Sequence, residues 1–241
     1  MSSCIRVFYL TALVALAASG ARAADDADDL YRAREDLASA RRAADLWRER
    51  LQADPSDFEA AWKRSRALYW LGGHAAAGER ERDLEAGIDA ATRAAALRPE
   101  RPEGHFWAAA NMGALAESFG LGKGIKYRKP IREALERVLA IDAAFQQGSA
   151  DRALGRWYFK VPGLFGGDKQ KSEQHLRRSL TFNPNSTASL VFLAETLLEL
   201  GKRADARAAL EQCERAPLDP DWGPEDREFK AKARTILATL R

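Results

Sequence analysis

The chain has 241 residues, 46% of them apolar and 30% charged, with 38 Lys and Arg against 35 Asp and Glu. That composition excludes a disordered tail, a collagen-like fibre and a disulfide-stapled mini-protein, and the balanced charge argues against nucleic acid, which calls for a concentrated basic field. One elongated domain or two small ones remain, with ample apolar residues for a core.

In chain order, residues 1–23 read first as a secretory signal peptide. Arg6 supplies the positive start, Val7 to Gly20 the short apolar run, and Ala21-Arg22-Ala23 the small-residue cleavage site. The run is too short and wrongly flanked to span a membrane. Its removal leaves 36 basic against 35 acidic groups. Cys4 precedes the apolar run, so it is no lipobox cysteine, and Cys213 is left as the single thiol with no disulfide to make. The expectation is an exported periplasmic protein, cleaved near Ala23 and stabilised by packing alone.

From about Asp29 onward Ala, Leu, Arg and Glu dominate, and Gly and Pro punctuate them, which predicts helices throughout. The helices repeat. Counted from Thr187, the residues Leu190, Leu193, Ala194 and Leu197 occupy the first-helix sites of the tetratricopeptide pattern. Ala206, Leu210 and Cys213 take the small, large and small sites of the second helix. Two antiparallel helices approach closely only where small residues sit at their crossing. The same reading recurs upstream, through Trp62 and Tyr69, then His105–Gly113, then Leu154, Gly155 and Tyr158.

The predicted fold is all-α: a right-handed superhelix of tetratricopeptide-like helical hairpins with a C-terminal capping helix. It forms a single domain over 24–241, with repeats at about 27–57, 58–101, 102–145, 146–186 and 187–220 and the cap at 224–240. Three hairpins contain extra residues in the turn between their helices, at Gly72–Asp83, Phe119–Pro130 and Lys160–Asp168. The second and third mix Gly and Pro with apolar groups, and all three are expected to be loops on one face. They serve either as lids on the repeat core or as a ligand or partner surface.

Chemical motifs are sparse. His74, His105 and His175 are scattered without ligand spacing, so no metal is expected; Cys213 fills a repeat's small site and reads as a buried, inert thiol. Gly120 to Gly124 lacks the phosphate-loop spacing, and Asp168 reads as a helix N-cap. With no nucleophile–base pair and no cofactor fingerprint, neither an enzyme nor a bound cofactor is expected. The aromatics of the first helices are the candidates for ligand contact, because first helices line the concave side. Neighbours such as Trp157, Tyr158 and Phe159 diverge by about 100° around a helix and cannot all be core. The candidate ligand-binding set is Trp107, Asn111, Tyr127, Arg156, Trp157, Phe159, Leu164 and Phe165.

Two stretches carry a family likeness. Gly155 to Leu180, with its Pro162-Gly163 and Gly166-Gly167-Asp168, and Pro102 to Glu117, with His105 to Trp107, resemble the T-component family associated with bacterial TRAP transporters. The resemblance implies a periplasmic helical-repeat protein that oligomerises and works beside a solute-binding protein or other transporter component. It also implies a hydrophobic cavity for a lipid-like, apolar or amphipathic molecule. Family members are often lipoproteins, a feature this chain departs from. The leading expectation is therefore a non-enzymatic transport accessory that binds such a molecule. The alternative is a tetratricopeptide scaffold that grips an extended peptide or partner protein in its groove.

Overall fold

The computed structural model describes residues 26–240, so the expected signal peptide, its cleavage near Ala23 and Cys4 lie outside the described residues. Among the described residues there are helices and no strands. A helical segment at 26–32, α1, is followed by α2 (Leu37–Ala53), α3 (Phe58–His74), α4 (Ala77–Leu97), α5 (Pro102–Ser118) and α6 (Leu121–Ile141). Then come α7 (Phe145–Lys160), α8 (Lys169–Phe182), α9 (Thr187–Glu199), α10 (Arg203–Arg215) and α11 (Gly223–Thr239). From α2 onward each helix packs on its sequence neighbour, and α3, α5, α7 and α9 also touch in succession, which is the stacking of a helical solenoid.

Local chemistry sets the ends. The Asp36, Asp57, Asp168 and Ser186 side chains accept hydrogen bonds from first-turn backbone N–H groups, satisfying donors that a helix start leaves orphaned. The turns between hairpins are near copies of one another. Asp54, Arg98, Asp142 and Asn183 end α2, α4, α6 and α8 with φ between −131° and −155° and an N–H bonded back to the preceding turn. Arg93 reaches from α4 to the Pro55 carbonyl (3.0 Å), and Arg137 from α6 to that of Pro99 (3.2 Å).

The crossings obey the small-against-large rule. A Cβ on Gly155 would stand 2.5 Å from Leu176 Cγ, so only glycine lets α7 and α8 meet there. Beside it, Ser172 Oγ donates to the Gly155 carbonyl at 2.8 Å and shares a 2.9 Å bond with Thr196, tying α7, α8 and α9 through buried hydroxyls. Cys213 is fully buried and its thiol is pushed up to about 11 by that burial, which keeps it protonated.

The inserted segments depart from expectation. Gly72–Asp83 is not a loop: α3 runs to His74, α4 begins at Ala77, and α4 reaches 21 residues. Phe119–Pro130 is likewise absorbed into α6, also 21 residues long, with Pro130 inside it. Tyr127, Ile131, Leu135 and Val138 recur every three or four positions and are all buried, and that apolar stripe outweighs the local Gly and Pro. Of the three, Lys160–Asp168 alone keeps an irregular stretch, a 3-10 turn at Gly163–Phe165 with no buried residue, while Val161 packs against the core.

Candidate functional site

The solenoid wraps around a cavity of about 1190 Å³. The first helices α3, α5, α7 and α9 supply much of its wall, as their inward faces must. Tyr69, Phe106, Trp107, Trp157, Phe192 and Phe229 give it an aromatic share, set among polar and charged groups. Tyr69 and Trp107 pack at 5.7 Å between ring centroids, and Phe192 meets Phe229 edge-on at 5.4 Å.

The two ends of the coil meet across this space. Arg34, just after α1, is 2% exposed; its Nε donates to Glu225 Oε1 at 3.0 Å and its Nη2 to the Asp221 carbonyl at 2.9 Å, both at the start of the C-terminal cap. Arg227 pairs with Glu35, and His74 Nε2 lies 2.7 Å from Glu228 Oε1. These contacts join segments more than 150 residues apart and close the superhelix around the cavity.

Charge in the wall is unevenly satisfied. Glu117 is taken by Arg156 (3.0 Å) and Lys160 (3.5 Å), and Glu225 by Arg34. Asp226 accepts from Thr187 Oγ1 at 2.5 Å and the Asp219 N–H at 2.7 Å. Two wall cations have no carboxylate within ion-pair distance among the described residues: Arg128, which lies 5.3 Å over the Phe165 ring, and Arg152. Burial pulls the Arg152 pKa down, against the opposing pull of Tyr69 and Asp226. A guanidinium held in the cavity wall without a carboxylate partner is set to receive an anionic group.

One part of the wall is amide-rich. Gln146, Gln147, Asn183 and Asn185 line it together, and the start of α7 is twisted to present the first two. Gln146, Gln147 and Gly148 all have positive φ, at 44°, 58° and 77°. Such left-handed strain at non-glycine residues gathers at binding and switch sites. Gln147 Nε2 donates to Asp219 Oδ2 at 3.3 Å, fastening this turn to the segment before α11.

Of the residues singled out from the sequence, Trp107, Arg156, Trp157 and Phe165 line the cavity, and Asn111, Tyr127, Phe159 and Leu164 do not. Asn111 is fully buried between α3 and α5, where its Nδ2 donates to Ser65 Oγ at 3.0 Å and to the Trp107 carbonyl at 2.9 Å. Tyr127 is a buried member of the α6 stripe. Phe159 sits under the Lys169 ammonium at 3.8 Å. Leu164 points away into solvent at 90% exposure. Arg156 is spent on Glu117 and Glu195, the latter at 2.8 Å, so it is a strut and not an anion site. Arg152, one helical turn earlier, is the residue that sequence reasoning passed over.

The histidines are all accounted for structurally: His105 meets the Pro99 carbonyl at 3.0 Å and His175 meets Asp151 at 2.8 Å. Among the described residues no cluster of His, Cys, Asp and Glu could hold a metal, and no helix is long and apolar enough to cross a membrane.

Residues 23–165 match the family described as regulator of microtubule dynamics protein 1-3. No protein of curated function matches the sequence. Among solved structures, a thermophilic tetratricopeptide protein of Thermus thermophilus superposes with a TM-score of 0.68 at 18% identity, covering 91% of this chain and 99% of that one. The pilF protein of Pseudomonas aeruginosa gives 0.57 at 16% identity, covering 92% and 93%. MamA gives 0.52 at 17% identity, covering 88% and 94%. At such identities these likenesses show the fold alone. The T-component resemblance and the structural neighbours have the tetratricopeptide-like superhelix in common, and the superhelix is the part of that resemblance that stands.

Proposed function

This chain belongs to the regulator of microtubule dynamics protein 1-3 family, and from that premise we propose a non-enzymatic helical-repeat scaffold that holds one amphipathic molecule in its central cavity. The ligand has an apolar body, packed against Trp107, Trp157, Phe192 and Phe229, and an anionic head on Arg152. The carrying observation is Arg152, a cation without a carboxylate partner among the described residues, in a cavity wall that also presents Trp107, Trp157, Phe192 and Phe229. A cavity of about 1190 Å³ is ample for a molecule of drug size or somewhat larger.

The finer elements of this reading rest on sequence. The leader-like residues 1–23 support an exported, periplasmic protein, and the T-component resemblance supports a role beside a solute-binding protein or transporter component. The family's name speaks of microtubule dynamics. A microtubule-binding role is not part of this reading, which starts from the cavity.

A second reading is favoured by one feature, the amide-rich part of the wall formed by Gln146, Gln147, Asn183 and Asn185. Side-chain amides suit an extended peptide, whose backbone both donates and accepts, and repeat superhelices commonly grip peptides in their grooves. Native mass spectrometry of the protein without residues 1–23, purified from its own host and followed by organic extraction, separates the two. A stoichiometric acidic, lipid-like mass lost in Arg152→Leu supports the carrier. A protein that is empty in every preparation, and retains a peptide instead, replaces the carrier by the peptide scaffold.

A further inference from the structure

We propose that the cavity mouth between the start of α6 and the turn after α7 is a docking surface for an anionic lipid bilayer. Leu164 is 90% exposed, Ile125 53% and Phe165 40%: two exposed apolar side chains in the turn after α7 and one at the start of α6. The two segments that carry them are joined: Trp157 Nε1 donates to the Arg128 carbonyl at 2.9 Å, and the Arg128 guanidinium lies 5.3 Å over the Phe165 ring. Ile125, Phe165 and Arg128 also line the cavity, which sets both segments at its wall.

The turn that presents Leu164 is held firmly. The Phe165 N–H donates to the Pro162 carbonyl at 2.8 Å, that of Gly166 to Gly163 at 3.0 Å, and that of Asp168 back to Tyr158 at 2.9 Å. An exposed leucine on a loose loop is unremarkable; one held outward by a bonded turn is a projecting apolar tip.

Charge identifies the occupant. Residues 119–131 contain Lys123, Lys126, Arg128 and Lys129 and no acid. Lys123 is consumed by Glu81 (2.8 Å) and Glu85 (2.7 Å). Lys126 and Arg128 have no carboxylate partner among the described residues, and Lys129 meets only Glu133, from its own helix, at 3.4 Å. Ile125, Arg128 and Lys129 are spaced three and four apart, so they share a helix face. Apolar tips ringed by cations match a bilayer, whose phosphates take the cations and whose acyl boundary takes the tips; each basic residue near an anionic surface strengthens binding several-fold.

The test is vesicle co-sedimentation of the chain without residues 1–23, which lie outside the described fold and would themselves enter lipid. One vesicle is pure phosphatidylcholine, and the other is about three parts phosphatidylcholine to one part phosphatidylglycerol. Binding is expected to the anionic vesicle, at least about tenfold weaker to the neutral one, and falling as salt rises. Leu164→Glu and the double change Lys126→Glu with Arg128→Glu each lose about tenfold. Leu37→Glu, which alters an exposed leucine on α2, retains binding. No binding to anionic vesicles, equal binding to neutral ones, full binding by Leu164→Glu, or an equal loss in Leu37→Glu each overturns the assignment. So does capture of a protein at Leu164 by crosslinking while vesicles are ignored. Cavity occupancy is read by a different experiment, so this surface and the carrier reading fail separately.

Discussion

Arg152 is a half-buried cation whose burial pulls its pKa down. A cation withdrawn from water is compensated when a carboxylate meets it, and here Glu117 and Glu195 go to Arg156 while Asp226 goes to Thr187 and the Asp219 N–H. Replacing Arg152 by Leu is therefore expected to stabilise the empty protein by about 0.5–1 kcal/mol, raising Tm by roughly 2–4 °C in a differential scan. The same change should abolish retention of an acidic ligand. Lost retention with a lowered Tm would instead mark Arg152 as a structural strut. From the sequence, spacing singles out Arg156 as a polar group near the groove surface, and Arg152 is not considered. Which of the two keeps its charge free depends on acids contributed by α5 and α9, and no spacing within α7 records that.

At the scale of elements, the hairpin order and the caps were readable because their causes are local. Asp168 and Ser186 precede their helices, and small residues recur at the crossings. The length of α6 was not readable, because Gly and Pro in its first half look like loop while the deciding stripe of Tyr127, Ile131, Leu135 and Val138 is rewarded only by tertiary burial. The left-handed start of α7 was invisible for a different reason: two of its three residues are glutamines, which carry no turn signal. Gly148 anchors it. With φ at +77° and Phe182 Cδ2 standing 2.7 Å from where a Cβ would be, Gly148→Ala should destabilise the fold by about 1–3 kcal/mol, measured by urea titration. It should also unseat Gln147 from Asp219, so loss of ligand or peptide retention is expected alongside.

For the whole molecule, the decisive contacts are those between its ends, and these were beyond sequence reasoning because any of many surface charges might have met. Arg34 and Glu225 form the central pair of that closure. Arg34→Met leaves the Glu225 carboxylate without its partner and should cost about 3 kcal/mol, whereas Arg34→Met with Glu225→Leu should recover much of the loss. Additive losses in the double-mutant cycle would show that the two side chains do not act as a pair.

The same seam contains a titrating group. His74 stacks on Trp70 at 3.7 Å between ring centroids, with Nδ1 2.7 Å from the Trp70 carbonyl and Nε2 2.7 Å from the Glu228 carboxylate. Both neighbours are acceptors, so the ring satisfies them together only as an imidazolium. Burial pulls its pKa down, but Glu228 and the Trp70 carbonyl outweigh that and the net shift is upward. A raised folded pKa means that the folded state holds the proton more tightly than the unfolded chain does. The contribution is complete below the ordinary imidazole value of about 6.5 and disappears as pH rises through the higher folded value. The Tm advantage of the natural protein over His74→Gln should accordingly be largest near pH 6 and shrink toward pH 9. An advantage independent of pH would mean that His74 contributes packing alone. If the seam also governs access to the cavity, release of a bound amphipath should accelerate over the same interval, and Glu228→Gln should remove that acceleration while leaving the cavity wall unchanged.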